Sequence, residues 1–250
     1  MNRSHVISTG CDALDDLIGG GLAPKMITQI YGESATGKST LCMIAAITTL
    51  RRDKAVIYID TESFSVERFA QVAGEDARTL SERFYLYEPS DFDQQGSMIR
   101  ESDTLLGNRD PGLIILDSAT GLYRTELDHG QDTMQRLNKQ MVFLLGMAKR
   151  YDLPVLITNQ VYVDLQRSDF APLGGTGLMH LSKVIIRIDR IHDSTGRKAT
   201  LMKHNSQPEG GTFEFVITGT GIESREQVSS GETDEKKEKK DLSYRSRNIF

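Results

Sequence analysis

Residues 32–40, GESATGKST, carry two glycines, a lysine and several hydroxyl groups at a spacing that suits phosphate binding. Gly32, Gly37, Lys38 and Ser39 fit the pattern G-x4-G-K-[ST]. Glycines let successive N–H groups turn toward phosphate oxygens, and a helix that begins at the loop adds its positive end. In this pattern the lysine reaches the β and γ phosphates and the serine hydroxyl binds Mg²⁺. The spacing predicts a site for a nucleotide with Mg²⁺; the alternative is a glycine-rich turn with an exposed lysine.

Three apolar segments lead into polar residues that are placed to act on one ligand. LIILD ends in Asp117, which either binds Mg²⁺ through water or caps the next helix. Glu62 follows VIYIDT and is a candidate to deprotonate an attacking water; Asp60 competes for this role, and Glu62 could instead be an exposed loop acid. Gln160 ends LITNQ, where an amide either senses the γ-phosphate or satisfies loop backbone. Because parallel strands end at one edge of a sheet, these side chains are expected to line one crevice.

The order of the apolar segments predicts the fold class. Strands are predicted at MITQIYG, AVIYID, RFYLY, GLIILD and PVLITNQ, and they alternate with helices, the clearest of which spans residues 131–150. Three further strands, KVIIRID, KATLMKH and TFEFVIT, then follow one another. This order predicts an α/β fold with a mostly parallel central sheet, helices on both faces and an antiparallel C-terminal extension. Residues 161–177 show no clear period, so they are predicted to form a loop.

Length and composition narrow the class of protein. The 250 residues, 38% of them hydrophobic, suffice for one large α/β domain or two small ones. Two cysteines in unlike contexts predict neither a disulfide framework nor a zinc site. Because no stretch resembles a signal peptide or a membrane span, we expect a cytoplasmic protein. Residues 1–222 are predicted to form an ATP-binding core, and the charged residues 223–250 a disordered tail.

The order of the motifs resembles a known family. STGCDALDDLIGGGL, GESATGKST, YIDTESFSVERF, GLIILDS, LITNQV, PLGGTGLMHLSKVIIRI and KHNSQPEG follow one another as in the RecA-like P-loop ATPase core of recombinases. Among these the chain is most similar to the archaeal RadB paralogues of the recombinase RadA, over about residues 4–222. The resemblance implies ATP as the nucleotide and Glu62 as the water-activating residue. It also implies that Gln160 couples the nucleotide to a second DNA-binding loop.

Further residues take roles from this resemblance. Arg68 in VERF matches an arginine that stacks on adenine. Lys203 and His204 are implied either to contact nucleotide across a subunit interface or to pack beneath the second loop. The implied catalytic residues are Glu62, Lys38 and Gln160. The predicted nucleotide contacts are Gly32, Glu33, Ser34, Ala35, Thr36, Gly37, Lys38, Ser39, Thr40 and Arg68, and the predicted Mg²⁺ ligands are Ser39 and, through water, Asp117.

Residues 161–203 differ from the whole chain in charge. They hold seven basic and four acidic residues, whereas the chain has a net charge of −5, which argues against unspecific polyanion binding. Single-stranded DNA binding needs a basic groove and stacking platforms, for which Tyr162 and Phe170 are candidates. The predicted DNA contacts are Arg124, Arg167 and Lys183. Ordinary surface charge with two partly buried aromatic rings is the alternative interpretation.

These inferences favour an ATP-binding accessory protein of homologous recombination and DNA repair, with a weak DNA-linked ATPase. The resemblance implies that it modulates a recombinase such as RadA or a Holliday-junction resolvase, and a homodimer is a further candidate assembly. The chain begins almost at STG and the loop between residues 160 and 174 is short. Both features argue against robust filaments and strand exchange. Two alternatives remain: a RecA-fold signalling ATPase that acts on protein partners without DNA, and a nucleotide switch without catalysis.

Overall fold

The computed structural model describes residues 6–107, 109–129, 131–164, 169–192 and 194–225. The strands of this part are β1 (Ile27–Gly32), β2 (Ala55–Asp60), β3 (Phe84–Tyr87), β4 (Pro111–Asp117), β5 (Val155–Asn159), β6 (Val161–Asp164), β7 (Asp169–Pro172), β8 (Ser182–Arg190), β9 (Gly196–Lys203), β10 (Thr212–Thr218) and β11 (Gly221–Arg225). The α-helices are α1 (Asp12–Leu17), α2 (Lys38–Leu50), α3 (Val66–Ala73), α4 (Ala77–Ser81), α5 (Phe92–Leu106), α6 (Gln131–Arg150) and α7 (Gly175–Leu181). Gly74–Asp76 and Tyr123–His129 form 3₁₀ turns.

One nine-stranded sheet organises these elements, in the order β11-β10-β9-β8-β1-β5-β4-β2-β3. The strands from β8 to β3 in this order are parallel, whereas β8, β9, β10 and β11 pair in antiparallel fashion. This arrangement confirms the predicted α/β fold with its antiparallel extension. Strands β1, β5 and β4 are central. In such folds ligands bind at the carboxyl ends of the parallel strands, so the loops that follow these three strands form the edge at which a ligand is expected.

Helices cover both faces of the sheet, as predicted. Helices α1 to α4 pack on one face around a cluster that includes Leu41, Ile47 and Phe69. Helices α5 to α7 pack on the other face around a cluster that includes Ile114 and Leu144. Strands β1, β2 and β5 are buried along their whole length, which explains the mostly apolar sequences of β2 and β5. Strand β1 also buries the polar residues Thr28 and Gln29. No helix of the described ranges is long and apolar enough to span a membrane.

The structure differs from the prediction between residues 161 and 177. This segment forms the β6–β7 hairpin and helix α7 rather than a loop. The hairpin strands pair with each other in a separate two-stranded sheet and are half-buried or exposed, so no apolar face marks them in the sequence. Strand β11 was also not predicted, and it carries residues 223–225, which the prediction placed in the tail. Residues 226–250 lie outside the described part of the chain.

Candidate functional site

The loop between β1 and α2 is shaped by its own side chains. The Nζ atom of Lys38 donates to the carbonyl oxygens of Gly32 and Glu33, at 3.0 and 2.7 Å. The Thr36 hydroxyl donates to the Glu33 carbonyl at 2.9 Å. Gly37 has a φ of +100° directly before α2, a conformation that side chains other than glycine rarely adopt. The motif therefore forms a folded loop at a helix N-terminus, the geometry that presents backbone N–H groups to an anion.

Glycine is required at the start of this loop for a second reason. A Cβ atom on Gly32 would lie 2.2 Å from the carbonyl oxygen of Ile188 in β8. The loop thus passes so close to the neighbouring parallel strand that only glycine fits. Burial lowers the pKa of the Lys38 ammonium, while the negative charges of Glu62 and Asp117 oppose this shift. The lysine is therefore partly desolvated and near two carboxylates before any ligand is considered.

Asp117 lies at the end of β4 and is 3% exposed. Its Oδ2 atom accepts a hydrogen bond from the Tyr58 hydroxyl at 2.8 Å, and its Oδ1 atom accepts one from the Thr158 hydroxyl at 2.5 Å. These donors come from β2 and β5, the strands on either side of β4, and they fix the orientation of the carboxylate. Burial raises the pKa of the nearby Asp60 to about 7, and the negative charge of Asp117 adds to the increase.

Glu62 and Gln160 are brought together from different strand ends. The Gln160 Nε2 atom donates to the Glu62 Oε1 atom at 2.6 Å, and the Ser118 hydroxyl donates to the same oxygen at 3.4 Å. The Arg124 guanidinium donates to the Gln160 Oε1 atom at 3.3 Å. A chain of hydrogen bonds therefore links Arg124, which follows β4, to the glutamate that follows β2. Asp60 accepts from the Glu62 backbone N–H at 3.3 Å, so it supports this turn.

One cavity of about 400 Å³ collects most of the predicted site residues. Its lining includes Lys38, Ser39, Glu62, Asp117 and Gln160, and also the DNA candidate Arg124. The further lining residues are Gly32, Ser34, Ala35, Gly37, Thr40, Val161 and Ile217. Ile217 is 37% exposed, and the sequence offered no reason to select this residue from a predicted strand. Tyr58 and Thr158, which orient Asp117, were also missed, although both lie in quoted strand motifs two residues from a predicted site residue.

The donor set fits a nucleotide with Mg²⁺. Mg²⁺ prefers oxygen ligands and is usually held by one or two carboxylates together with substrate phosphates. The Ser39 hydroxyl and the Asp117 carboxylate, in the same cavity as Lys38, match this requirement. The described residues contain no group of three or more His, Cys, Asp or Glu side chains that could hold a metal by themselves. A metal at this site would therefore depend on the phosphates of its ligand.

Arg68 lies beside the cavity rather than in its lining. Its guanidinium donates to the carbonyl oxygens of Thr218 and Gly219, both at 2.7 Å, and to the Gln71 side chain at 2.7 Å. The bonds to Thr218 and Gly219 attach helix α3 to the turn between β10 and β11. The predicted stacking on adenine stays a prediction, and the structure adds that Arg68 holds the turn that follows Ile217.

The three predicted DNA contacts are not equivalent. Arg124 is exposed and contacts Gln160, Lys183 is exposed at the start of β8, and Arg167 lies outside the described residues. The candidate stacking residue Tyr162 is 48% exposed on β6, and Phe170 is half-buried on β7, where it pairs with Val163. Both rings line a second cavity of about 610 Å³ between the hairpin, α7 and the antiparallel strands.

Other basic residues of this region have partners within the protein. Arg187 forms ion pairs with Asp169 at 2.6 Å and with Asp189 at 2.8 Å. Lys203 Nζ donates to the carbonyl oxygens of Met179 and Ser182, at 2.7 and 2.8 Å, at the end of α7. The two roles left open for Lys203 and His204 stay predictions. The Nδ1 atom of His204 accepts backbone N–H groups of its own turn, at 3.0 and 2.9 Å.

Comparisons with known proteins agree on one family. The Rad51 family model matches residues 2–225. The DNA repair and recombination protein RadB of Methanoculleus marisnigri is 57% identical over 222 residues, which cover 88% of this chain and 98% of that protein. Its namesake in Archaeoglobus fulgidus is 44% identical over 221 residues, covering 87% and 98%. A crystal structure of the RadB recombinase matches with a TM-score of 0.76 and 36% identity, over 88% of this chain and 100% of that one.

Proposed function

The chain belongs to the Rad51 family, in which archaeal RadB proteins are its relatives, and from this membership we propose an ATP-binding accessory protein of homologous recombination and DNA repair. The observation that carries the proposal is the shared cavity of Lys38, Ser39, Glu62, Asp117 and Gln160. These residues come from four separate strand ends, and each has the chemistry that ATP–Mg²⁺ requires. In this proposal the core predicted for residues 1–222 extends through strand β11 to Arg225, and the charged residues after it form a tail.

The proposed reaction is slow hydrolysis of ATP. Mg²⁺, when bound, neutralises charge on the phosphate oxygens. Lys38 would bind phosphate in place of the carbonyls of Gly32 and Glu33, and the Ser39 hydroxyl would be a ligand of the metal. Water attacks the γ-phosphorus, Glu62 accepts its proton, and the bond from the γ-phosphorus to the ADP oxygen breaks, which yields ADP and phosphate. The 2.6 Å bond from Gln160 occupies one oxygen of the Glu62 carboxylate, Oε1, which supports low turnover until Gln160 moves away.

Single-stranded DNA is the proposed partner of the surface beside this site. Arg124 connects that surface to Gln160, so a phosphate that takes Arg124 from Gln160 would weaken the chain leading to Glu62. The exposed Tyr162 ring offers a stacking platform. We propose Arg124, Arg167 and Lys183 as the phosphate contacts. The proposed protein partners are a recombinase such as RadA, a Holliday-junction resolvase and a second copy of the chain.

A protein partner without DNA is the second candidate function. It is favoured by the internal engagement of Arg187 and Lys203, because cations that are paired within the chain offer less charge to a polyanion. In that case nucleotide binding would control a protein contact, and the same cavity would act as a switch.

The experiment that tests the proposal is phosphate release with and without single-stranded DNA, at low and moderate salt. DNA is expected to stimulate turnover, and the stimulation should decline with salt because phosphate contacts release counterions. Arg124→Gln should reduce the stimulation, whereas Arg100→Gln, an exposed arginine on α5 outside the cavity, should not. The control Lys38→Ala should abolish turnover.

Two results would contradict parts of this proposal. Turnover that ignores DNA at every salt concentration, with nucleotide bound, would favour the protein-partner function. Fast turnover by the chain alone would contradict the restraint of Glu62 by Gln160. A protein that binds no nucleotide would refute the proposal as a whole.

A further inference from the structure

Four successive carbonyl oxygens of the phosphate-binding loop, from Gly32 to Ala35, accept hydrogen bonds from side chains. Lys38 donates to the carbonyls of Gly32 and Glu33, and the Thr36 hydroxyl also donates to that of Glu33. The next two carbonyls accept from arginines of the antiparallel extension, which the motif does not contain. Arg190 Nη2 donates to the Ser34 oxygen at 2.8 Å, and Arg197 Nη2 donates to the Ala35 oxygen at 3.2 Å.

These two arginines come from the ends of β8 and β9 that face the loop. Arg190 is the last residue of β8, two residues after Ile188, whose carbonyl lies against Gly32. Arg197 is held in place by its own turn, since its Nη1 atom donates to the carbonyls of Thr195 and Gly196 at 2.9 and 3.0 Å. The backbone of β8 therefore lies against the first residue of the loop, Gly32, and the two guanidinium groups contact its next residues, Ser34 and Ala35.

We propose that Arg190 and Arg197 are positioning residues of the phosphate-binding loop. A peptide unit whose carbonyl is held on the outer side directs its N–H group, one residue further on, to the inner side where phosphate binds. Ala35 has a φ of +57°, which costs energy for a residue with a Cβ atom and needs support from its surroundings. The hydrogen bond from Arg197 to Ala35 supplies such support.

The two arginines become more important once nucleotide is bound. Lys38 would then bind the phosphates instead of the carbonyls of Gly32 and Glu33. The loop would be held by the bond from Thr36 to Glu33 and by the bonds from the two arginines to Ser34 and Ala35. Each guanidinium also brings a positive charge near the phosphates. This inference rests on the proposed nucleotide site, but the shape of the empty loop can be tested independently of it.

The test compares Arg190→Gln, Arg197→Gln and the double variant with Lys198→Gln. Lys198 is exposed on β9 next to Arg197 and, within the described residues, makes no hydrogen bond to the loop, so it controls for charge alone. With a fluorescent ADP analogue, each single variant should bind about fivefold more weakly and the double variant about twentyfold, from the loss of charge-assisted hydrogen bonds. Lys198→Gln should stay within about twofold, since exposed charges are screened.

Amide hydrogen exchange of the nucleotide-free protein provides the second readout. In the double variant, exchange should rise for residues 33–37 and remain unchanged in β4, which a general loss of stability would also affect. Arg190→Lys, which retains the positive charge and a hydrogen-bond donor group without the planar guanidinium, should recover part of the affinity and protection. If the parent binds no ADP, the proposed function fails, while the exchange data still decide the role of the arginines.

Three outcomes would overturn the inference. The first is a double variant that binds ADP within twofold of the parent and leaves exchange at 33–37 unchanged. The second is equal weakening by Lys198→Gln, which would make the effect one of net charge. The third is a uniform rise in exchange, β4 included, which would assign the arginines a role in overall stability.

Discussion

The phosphate-binding loop and the β6–β7 hairpin lie at neighbouring places in the molecule but are held in different ways. In the loop, successive carbonyls from Gly32 to Ala35 accept side-chain hydrogen bonds, and Gly32 packs against the backbone of β8. The hairpin pairs with itself in a separate sheet, and the ion pair of Arg187 with Asp169 connects it to β8. The loop therefore packs directly against the main sheet, whereas the hairpin forms its own sheet and contacts the main sheet through side chains such as Arg187.

This difference shows what kinds of sequence signal are dependable. A fixed spacing such as G-x4-G-K-[ST] describes local geometry, and the structure reproduces that geometry in the loop. A count of charges describes composition and says nothing about contacts. Four of the seven basic residues that suggested DNA binding have partners within the protein: Arg187, Arg190, Arg197 and Lys203.

The largest expected effect comes from Lys38→Ala. Loss of its charge-assisted bonds to phosphate should weaken ATP binding at least about 100-fold, measured by calorimetric titration. The matched control is Lys139→Ala, an exposed lysine on α6, which should bind ATP like the parent. Equal affinity of the Lys38 and Lys139 variants would show that the loop is a structural turn, and the contrast between the two regions would lose its basis.

Glu62→Gln should reduce turnover about 100-fold or more while the affinity for ATP stays within a few-fold, because a general base acts on the reaction and not on binding. Single-turnover phosphate release and nucleotide titration measure the two quantities separately. The amide preserves a hydrogen-bond partner for Gln160. Unchanged turnover would mean either that the protein is a nucleotide switch without catalysis or that Asp60, rather than Glu62, is the general base.

Asp60 makes the stability of the phosphate end depend on pH between about 4 and 7, a range in which the hairpin residue Asp169 stays ionised. Its pKa is about 7 in the folded protein against 3.8 for the free side chain, so the folded state prefers the protonated form. Stability is therefore lost as the pH rises from about 4 through 7. Asp60→Asn should be more stabilising at pH 8 than at pH 5 by about 2 kcal/mol, in urea unfolding with a chelator and without nucleotide. An equal effect at both pH values would contradict the buried, protonated carboxyl.

Arg187→Gln should produce the smallest change, on the hairpin side. The ion pair with Asp169 is half exposed, so its loss should cost about 0.5–1 kcal/mol in urea unfolding at neutral pH. Arg187 lowers the pKa of Asp169 to about 2, so this stability is complete above about pH 4 and is lost as the pH falls toward 2. Lys183→Gln serves as the control on the same strand. If the free energy of unfolding fell by several kcal/mol, the hairpin would contribute to the stability of the main sheet as strongly as the loop does.

Most of the fold could be predicted because the buried parallel strands have almost continuous apolar sequences. Helix α6 begins and ends at the predicted residues, 131 and 150, since it is long and strongly periodic. The hairpin, α7 and β11 could not be predicted. They are short and partly exposed. The strands among them form through pairing with neighbouring strands rather than through a pattern of their own.

By itself the sequence determined the phosphate-binding loop, the class of fold and the polar residues at the strand ends. These features depend on local backbone geometry and on burial, both of which leave a regular spacing. Only the tertiary structure decided that Gln160 contacts Glu62, that Tyr58 and Thr158 orient Asp117, and that Arg190 and Arg197 hold the loop. Such contacts join residues up to 162 positions apart, and no spacing along the chain records which strand ends meet.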